Sequence, residues 1–414
     1  MPGLGTTLSW RATILRSSWC DRVGVRALSS DVAEALAGRL QSFGVGQEAG
    51  LHEPVFGGNE KAYLSECIDS GYVSSVGPFV GRFESELARF VGAPYVVAAV
   101  NGTAALHLAL VALGVRPGDE VIVPALTFVA TASAVALAGA TPHFVDVSAK
   151  TWGMDAEALR LHLNTVGRRD GGTLVNRETK RPIRAIMPMH TLGFPFDAEG
   201  ISAVAQDFGL SFVEDAAESL GSFSGDVHTG LIGDVGVFSF NGNKTITTGG
   251  GGALVTTNEE IALRLKHLST TAKVPHRFEF DHDAVGYNYR MPNINAALGV
   301  AQLEQLPGLV ERQRRLHEAY RSALEDLGIG VLKSETPLTK SNYWLHAFVL
   351  SRNLASERDN VLETCLNRGI PVRPLWKPLN NLVPYRLSPS TPAPTSTDLY
   401  SRTICLPSSA SLVA

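Results

Sequence analysis

The chain has 414 residues, a net charge of −4 and a hydrophobic share of 44%. This length suggests roughly two domains, and the absence of a basic stripe argues against nucleic acid as the main partner. No apolar run is long enough to span a membrane. The four cysteines have neither metal-site nor disulfide-framework spacing, which favours a reducing compartment without structural zinc.

Residues 1–30 differ in composition from the rest of the chain. They contain four arginines against one acid, Asp21, are rich in serine and lack a continuous apolar segment. This composition is typical of an organelle transit peptide rather than a secretory signal, and a mis-assigned start or a disordered leader explains it equally well. We therefore expect an intracellular protein, cytoplasmic or organellar (mitochondrial or plastid), and exclude this segment from the fold.

Apolar runs alternate with amphipathic runs in the next part of the chain. The predicted strands are "YVVAAV", "EVIVPAL", "TPHFVDV", "RAIMPMH", "LSFVEDA" and "VGVFSF". Helices are predicted at "ESELARFVG", "TAALHLALVALG", "ATASAVALAG" and "AEGISAVAQDFG". We therefore predict an α/β fold in which residues 31–258 hold an N-terminal segment and a large domain, with a mainly parallel central sheet flanked by helices.

The pattern changes after residue 258. The stretches "IALRLKHL" and "NINAALGVAQLEQLPGLVERQRRLHEAYRSALEDLG" predict long helices, the second one broken at Pro307. Beyond Gly330, the strand "HAFVLS", the helix "RDNVLETCLNRG" and the Pro-rich loop "IPVRPLWKPL" predict a smaller α/β domain. We assign residues 259–414 to a helical linker and this small C-terminal domain.

Residues that directly follow the predicted strands are candidates for binding, because open parallel sheets bind ligands beyond the carboxyl ends of their strands. Gly102 and Thr103 open a helix and offer backbone N–H groups and a hydroxyl to a phosphate, although a plain N-cap explains them too. Phe128 offers a face for stacking on a planar ligand, but a core phenylalanine is commoner. His190 follows another strand, where a lone histidine is usually structural.

An acid follows the strand "LSFV" at Asp215, and a second, Glu218, lies three residues on. A buried carboxylate needs a partner, and a pyridinium N–H supplies one, whereas a helix cap is the alternative. Lys244 lies in "SFNGNKTITTGGGG", just after the last predicted strand of the large domain. A buried lysine has a lowered pKa and forms a Schiff base with an aldehyde, whereas a solvated loop lysine is the alternative.

Together these features match one cofactor. A phosphate site, a stacking aromatic, an acid for a ring nitrogen and a Schiff-base lysine are the parts that pyridoxal 5′-phosphate (PLP) requires. The glycines at 249–252 allow close backbone approach to it. The order of the phosphate site, the aromatic, the acid and the lysine along the chain is typical of a fold type I PLP-dependent transferase.

Several stretches resemble the DegT-type (DegT/DnrJ/StrS) family of PLP-dependent nucleotide-sugar aminotransferases, from about Gly57 to the C-terminus. They are "GPFVGRFESELARFVGAPYVVAAVNGTAALHLAL", "GDEVIVPALTFVATASAV", "VEDAAESLGS", "GDVGVFSFNGNKTITTGGGGALVT" and "GYNYRMPNINAALGVAQLEQL". The forms "FNGNKTITTGGGG" and "SNYWLH" look most like the branch that acts on bacillosamine- and legionaminic-type sugars. The resemblance also implies a last helix after "CLPSS", so that a truncated small domain is an expectation.

The resemblance implies roles for individual residues. Lys244 would hold PLP as the internal aldimine and later move the proton at the substrate carbon, while Asp215 would keep the ring nitrogen protonated. The other implied cofactor contacts are Gly102, Thr103 and Ser239 at the phosphate, Phe128 on the ring face, and Glu218 near the ring, where the family often carries Gln or His.

Three further residues are expected to contact substrate or a second subunit. Asn288, in "GYNYR", would reach the cofactor phosphate of a neighbouring subunit, which implies a homodimer with shared active sites, although a turn residue explains it as well. His190 matches the family's histidine at a strand end. Arg373 is a candidate for pairing with a substrate phosphate or carboxylate, and a solvated loop arginine is the alternative. No metal is expected.

The implied reaction passes an amino group from L-glutamate to a nucleotide-linked 4-keto-6-deoxy sugar. One alternative is a PLP-dependent sugar dehydratase of the same fold, in which a histidine replaces the lysine. A non-catalytic relative would be marked by loss of Lys244 or Asp215, and both are present. An NAD-dependent enzyme would need G-x-G-x-x-G after the first strand, which "NGTAAL" does not supply.

Overall fold

The structure is a computed structural model that describes residues 29–44 and 50–413. Residues 1–28, most of the predicted leader, lie outside the described residues. Within the described part, no helix has the length and apolar character needed to cross a membrane. The described residues form eleven α-helices: α1 (Ser29–Gln41), α2 (Glu60–Ser70), α3 (Pro78–Val91), α4 (Gly102–Ala112), α5 (Val129–Leu137), α6 (Ala156–Val166), α7 (Ala198–Phe208), α8 (Glu259–Ser269), α9 (Asn293–Leu324), α10 (Arg358–Asn367) and α11 (Pro394–Arg402).

Eighteen strands lie in the same described ranges, several of them only two residues long. They are β1 (Tyr95–Ala99), β2 (Glu120–Pro124), β3 (Thr141–Val145), β4 (Gly167–Asp170), β5 (Thr173–Asn176), β6 (Ile183–Ile186), β7 (Ser211–Asp215), β8 (Phe223–Ser224), β9 (Val227–His228), β10 (Val235–Ser239), β11 (Gly252–Thr256), β12 (Lys273–Val274), β13 (Asp281–His282), β14 (Gly330–Leu332), β15 (Thr339–Lys340), β16 (His346–Leu350), β17 (Arg373–Pro374) and β18 (Thr403–Leu406).

A seven-stranded sheet forms the centre of the molecule, in the order β1-β11-β10-β7-β6-β2-β3. The pairs β2–β3, β2–β6, β6–β7 and β7–β10 are parallel, whereas β11 runs antiparallel to both β1 and β10. This confirms the predicted mainly parallel sheet. Because β1, β2, β6, β7 and β10 all point the same way, their carboxyl ends meet at one edge.

Helices cover both faces of this sheet, as predicted. Val121 and Val123 of β2 pack into a core formed with α4, α5 and α8, while Ile122 between them packs on the opposite side with α6 and α7. Such alternation along one strand follows from the two-residue period of a β-strand. All five residues of β2 are buried, which explains why the strand appears in the sequence as a continuous apolar run.

Helix α9 corrects one prediction, since it runs unbroken through Pro307 for 32 residues. A proline inside a helix removes one backbone hydrogen bond and usually breaks or kinks it. Here Leu306 and Leu309, on either side of the proline, are both buried in the core shared with α3. Tertiary packing therefore outweighs the local cost, as it does for most helices in globular proteins.

The C-terminal part forms a smaller α/β unit around a four-stranded sheet, β14-β16-β18-β17, whose paired strands are antiparallel. Leu36 and Leu40 of α1 pack in this core against Tyr320 of α9 and Cys365 of α10. The chain therefore begins its described part in the C-terminal core, before it enters the central sheet. The expected boundary between residues 258 and 259 stays a prediction.

The described cysteines, Cys67, Cys365 and Cys405, are free thiols and buried. Burial raises the pKa of Cys365 and of Cys405 to about 12, so these two thiols stay protonated near neutral pH. Within residues 29–44 and 50–413, no group of three or more His, Cys, Asp or Glu side chains is arranged to hold a metal ion.

Asn293 connects the start of α9 to the segment between α2 and α3. Its Oδ1 accepts a hydrogen bond from the Phe79 backbone N–H at 2.9 Å, and its Nδ2 donates to the Tyr72 carbonyl at 2.7 Å. The side chain is 1% exposed. Since it satisfies a buried backbone N–H of α3 and a part-buried carbonyl just before that helix, Asn293 stabilises the packing of α3 on α9.

We expect Asn293→Ala to lower the free energy of unfolding by roughly 1–3 kcal/mol, because a buried backbone N–H and a part-buried carbonyl lose their partner. Urea denaturation of the purified protein measures this change. The matched control is Asn164→Ala, at an exposed asparagine of α6, which should change the unfolding free energy by less than about 0.5 kcal/mol. Equal effects of the two substitutions would contradict the assigned role.

Candidate active site

A cavity of about 330 Å³ lies at the carboxyl edge of the central sheet. Eight of the ten residues predicted from the sequence line it, whereas His190 and Asn288 do not. The eight are Gly102, Thr103, Phe128, Asp215, Glu218, Ser239, Lys244 and Arg373. The fold therefore brings together residues that are up to 271 positions apart in the sequence, from Gly102 to Arg373.

Lys244 lies in the loop after β10 and extends into this cavity. Its Nζ is 3.2 Å from Glu218 Oε1 and 4.0 Å from the centroid of the Trp344 ring. The lysine side chain is 12% exposed, and that of Glu218 only 1%. The amine is thus enclosed between a carboxylate and an aromatic face, which is not the environment of a solvated loop lysine.

Glu218 lies three residues beyond the end of β7, and each of its two carboxylate oxygens has a hydrogen-bond partner. Its Oε2 accepts a hydrogen bond from the Leu192 backbone N–H at 2.9 Å, while Oε1 faces Lys244. Burial raises the pKa of this carboxyl to about 7, although the neighbouring Lys244 amine opposes the rise. Glu218 can therefore exchange a proton near neutral pH.

Asp215 ends β7 and lies beneath the cavity, 2% exposed. Its Oδ2 accepts a 2.7 Å hydrogen bond from the Thr131 hydroxyl, and its Oδ1 accepts a longer one, 3.3 Å, from the Ala217 N–H. Burial raises the pKa of Asp215, which these donors and the more distant Lys244 amine oppose. No cation among the described residues forms an ion pair with this carboxylate.

Thr131 was missed by sequence reasoning. It lies in the apolar stretch "ATASAVALAG" of α5, where a single threonine gives no sign of a polar partner. Only the packing of α5 against the sheet brings its hydroxyl to Asp215, and the same hydroxyl is 2.7 Å from that of Thr127.

The start of α4 forms one end of the cavity. Asn101 caps this helix by accepting a hydrogen bond from the Ala104 N–H at 2.8 Å, so the helix cap considered from the sequence is present. Gly102 and Thr103 of the first turn line the cavity beside Ser239. A Cβ at position 102 would lie 2.9 Å from the Ser239 Cβ, so the close approach of these two segments requires glycine. The positive end of a helix beside a hydroxyl suits an anion.

The glycine run serves the backbone as well as the cavity. Gly250 and Gly251 line the cavity, whereas Gly252 begins β11, where a Cβ would lie 2.6 Å from the Asn101 carbonyl. Gly249 has a φ of +78°, which a non-glycine residue adopts at a cost. Part of the run is thus explained by the tight packing of β11 beside the loop that follows β1.

Aromatic and basic side chains lie at the mouth of the cavity. Phe128 precedes α5 and is 46% exposed, with its ring centroid 6.1 Å from that of Trp376. Arg373, in the short strand β17, is exposed and lines the same opening. Trp376 lies in the Pro-rich loop identified from the sequence, but no local pattern predicts that this tryptophan lies near Phe128.

His190 lies behind the cavity wall rather than in it. It is fully buried, its Nε2 is 3.0 Å from Glu214 Oε2, and its ring stacks on Phe196 at a centroid distance of 4.1 Å. Its backbone N–H donates to the Asp215 carbonyl at 3.1 Å. This geometry does not support the expected direct contact with substrate, because protein groups surround the ring; it supports a structural role beneath Asp215.

Asn288 is exposed and lies outside the cavity of its own chain. Its Oδ1 accepts a hydrogen bond from Arg290 Nη2 at 3.3 Å, and its backbone pairs with Thr270. The expected reach of this side chain into a neighbouring subunit stays a prediction.

Comparison with known proteins identifies the family. The model of the DegT/DnrJ/EryC1/StrS aminotransferase family matches residues 55–414. The GDP-perosamine synthase of Vibrio cholerae is 38% identical over 362 residues, which cover 86% of this chain and 93% of that protein. The narrower bacillosamine- and legionaminic-type branch stays a prediction.

Solved structures have the same fold. DesI, solved in the presence of its TDP-sugar product, aligns with a TM-score of 0.75 and 29% identity, over 87% of each chain. The protein Spr1654 from Streptococcus pneumoniae, in its PLP form, aligns with a TM-score of 0.76 and 26% identity, over 86% of this chain and 92% of that one. Fold type I is thereby confirmed. The chain belongs to the DegT/DnrJ/EryC1/StrS aminotransferase family and is a PLP-dependent sugar aminotransferase.

Proposed function

We propose that this cavity transfers an amino group from L-glutamate to the keto carbon of a nucleotide-linked 4-keto-6-deoxy sugar. The observation that carries the proposal is the enclosed Lys244 amine, which shares one cavity with the buried Asp215 carboxylate. The names of the relatives support a nucleotide-linked substrate, since one makes GDP-perosamine and another was solved with a TDP-sugar product.

The residues present fit PLP. Asp215 is a buried carboxylate with hydroxyl and N–H donors but no ion-pair partner among the described residues, and a protonated ring nitrogen would provide that partner. When bound, PLP supplies an electron-accepting ring that lets an amino group move from donor to acceptor carbon. In this proposal Asp215 keeps the proton on the ring nitrogen.

Lys244 performs two tasks in this proposal. Its amine would hold the cofactor covalently through the aldehyde group and, when free, would move the proton at the substrate carbon. Glu218, 3.2 Å from the amine, is positioned to accept or donate a proton with Lys244. A carboxyl whose pKa lies at about 7 can do either near neutral pH.

The ends of the cavity suit the two ends of the bound molecules. Gly102, Thr103 and Ser239 would hold the cofactor phosphate at the positive end of α4, and Phe128 would cover the ring face. Arg373, exposed at the mouth, would pair with a substrate phosphate. Asn288 would serve the site of a second subunit.

The first test adds PLP and L-glutamate to the purified protein, then a nucleotide-linked 4-keto-6-deoxyhexose. We expect a visible absorbance band of bound PLP that glutamate changes, and an amino sugar in the mass spectrum of the products. A band that does not respond to glutamate would reject this donor. Failure to aminate any such sugar after the cofactor has accepted an amino group would reject the proposed acceptor.

We expect Lys244→Ala to abolish the visible band of covalently bound PLP and to lower turnover by at least about a thousandfold, because the anchor and the proton carrier are the same amine. Spectra and product formation measure both. The matched control is Lys61→Ala, at an exposed lysine of α2 outside the cavity. Normal transamination by the Lys244→Ala variant would contradict the role assigned to Lys244.

The raised pKa of Glu218 predicts that the stability of the apoprotein depends on pH. Its folded-state pKa is raised from 4.5 to about 7 by burial, so its contribution to stability is fully present below the unfolded pKa and is lost as pH rises through the folded pKa. Relative to Glu218→Gln, the wild type should lose roughly 3 kcal/mol of unfolding free energy between pH about 4.5 and about 8.

Urea denaturation across this pH range tests the prediction, with Glu260→Gln, at an exposed residue of α8, as the matched control. A constant difference between wild type and Glu218→Gln would show that the Glu218 carboxyl does not titrate in this range.

Shared active sites predict complementation between two inactive variants. A dimer of one Lys244→Ala chain and one Asn288→Ala chain would contain one site with both substitutions and one with neither. Mixing the two under subunit exchange should therefore restore activity to roughly a quarter of the wild-type value, the share expected when half the dimers are mixed and each has one intact site. If Asn288 serves its own chain's site, mixing restores nothing, and if it serves no site, the Asn288→Ala variant is active by itself.

A further inference from the structure

The amine of Lys244 rests on the face of Trp344, a residue about a hundred positions further along the chain. The distance from Nζ to the ring centroid is 4.0 Å. Trp344 lies between β15 and β16, in the C-terminal part of the chain, and is 3% exposed. Among aromatic rings an indole attracts a cation best, and the attraction is stronger when water is excluded.

Trp344 is fixed in place by one hydrogen bond to the lysine loop and one to its own segment. Its indole Nε1 donates to the Asn243 carbonyl at 2.7 Å, on the residue that precedes Lys244. Its backbone N–H donates to Asn342 Oδ1 at 3.0 Å. The indole is therefore bonded to the backbone of the residue beside Lys244, which holds the ring next to the amine.

Asn342 fixes the same segment to Glu218. It is fully buried, and its Nδ2 donates to the carbonyls of Glu218 and Leu220 at 3.0 and 2.9 Å. Tyr343, between Asn342 and Trp344, has a φ of +51°, a conformation that a non-glycine residue keeps only where its neighbours impose it. The segment 341–344 thus sets the positions of both groups that face the Lys244 amine.

We infer that Trp344 is a positioning residue for amino transfer, which holds the free ammonium of Lys244 beside Glu218 whenever the lysine is not attached to the cofactor. The inference rests on the proposed function, in which the amine is released during each half of the reaction. The ring stabilises the charged form and gives the released amine a defined position. Glu218 is then within reach of its proton.

A simple wall of the cavity would have the same shape but a different electrostatic effect. If Trp344 only fills space, its removal changes the access of reagents to Lys244 but not the balance between ammonium and amine. If the ring stabilises the ammonium, its removal favours the neutral amine at any given pH. The two roles therefore differ in the pH at which the amine becomes reactive.

The test is made on the apoprotein by trace labelling of amines with acetic anhydride at a series of pH values. Mass spectrometry gives the labelling of Lys244 relative to exposed Lys61, which serves as the internal standard. We expect Trp344→Leu to move the pH midpoint of Lys244 labelling down by about one unit, which corresponds to roughly tenfold faster labelling at a fixed pH below the midpoint. Trp344→Phe, which keeps an aromatic face, should move it by less than half as much.

An unchanged midpoint in Trp344→Leu, with only a higher plateau rate, would overturn the inference, because it would mean that access alone had changed. An equal shift in Trp344→Phe and Trp344→Leu would also overturn it, since the lost indole bond to Asn243 would then be the cause. If Trp344→Leu does not fold, as judged by circular dichroism, Trp344→Met takes its place in the same comparison with Trp344→Phe.

This test is independent of the sugar and the amino donor. Absence of amino transfer in the wild type would reject the proposed function and leave the labelling result standing. In the holoenzyme, the same role predicts that Trp344→Leu lowers kcat more than it changes KM for the sugar, with partial rescue by Trp344→Phe.

Discussion

The site depends on the burial of two carboxylates beside one lysine. Asp215 and Glu218 are both almost inaccessible to water, and burying a carboxylate without partners is costly. Each therefore has donors: a hydroxyl and an N–H for Asp215, and an N–H and the Lys244 amine for Glu218. The pKa values of both carboxyls are still raised, because these donors offset only part of the cost of burial.

The rest of the fold supplies these partners from separate places. The central sheet brings the ends of β7 and β10 side by side, since the two strands are parallel neighbours. Helix α5 contributes the Thr131 hydroxyl, and the segment 341–344 crosses from the small unit to cover the amine. A helix behind the lysine loop completes the support, with Asn295 of α9 donating to the Thr248 carbonyl at 2.7 Å. The active site is thus a junction of both parts of the chain.

Burial also separates residues that look alike in the sequence. His190 and Glu214 lie near strand ends, as Asp215 and Lys244 do, yet they pair with each other at 3.0 Å behind the cavity wall. Adjacent residues of a strand point to opposite faces, so that Asp215 contacts the cavity while Glu214 accepts hydrogen bonds from the Gly230 and Gly233 backbone. The His190–Glu214 pair therefore has a structural role, in which it holds the loop that follows β9 in place.

The sequence by itself determined the alternation of strands and helices, the residues at the strand ends and the family, because these depend on local periodicity and on motifs short enough to read directly. Only the tertiary structure decided the antiparallel direction of β11, the continuous helix through Pro307 and the contacts of Thr131 and Trp344 with the site. Each of these depends on segments distant in sequence that pack together, and no local pattern records which distant side chain will satisfy a buried charge.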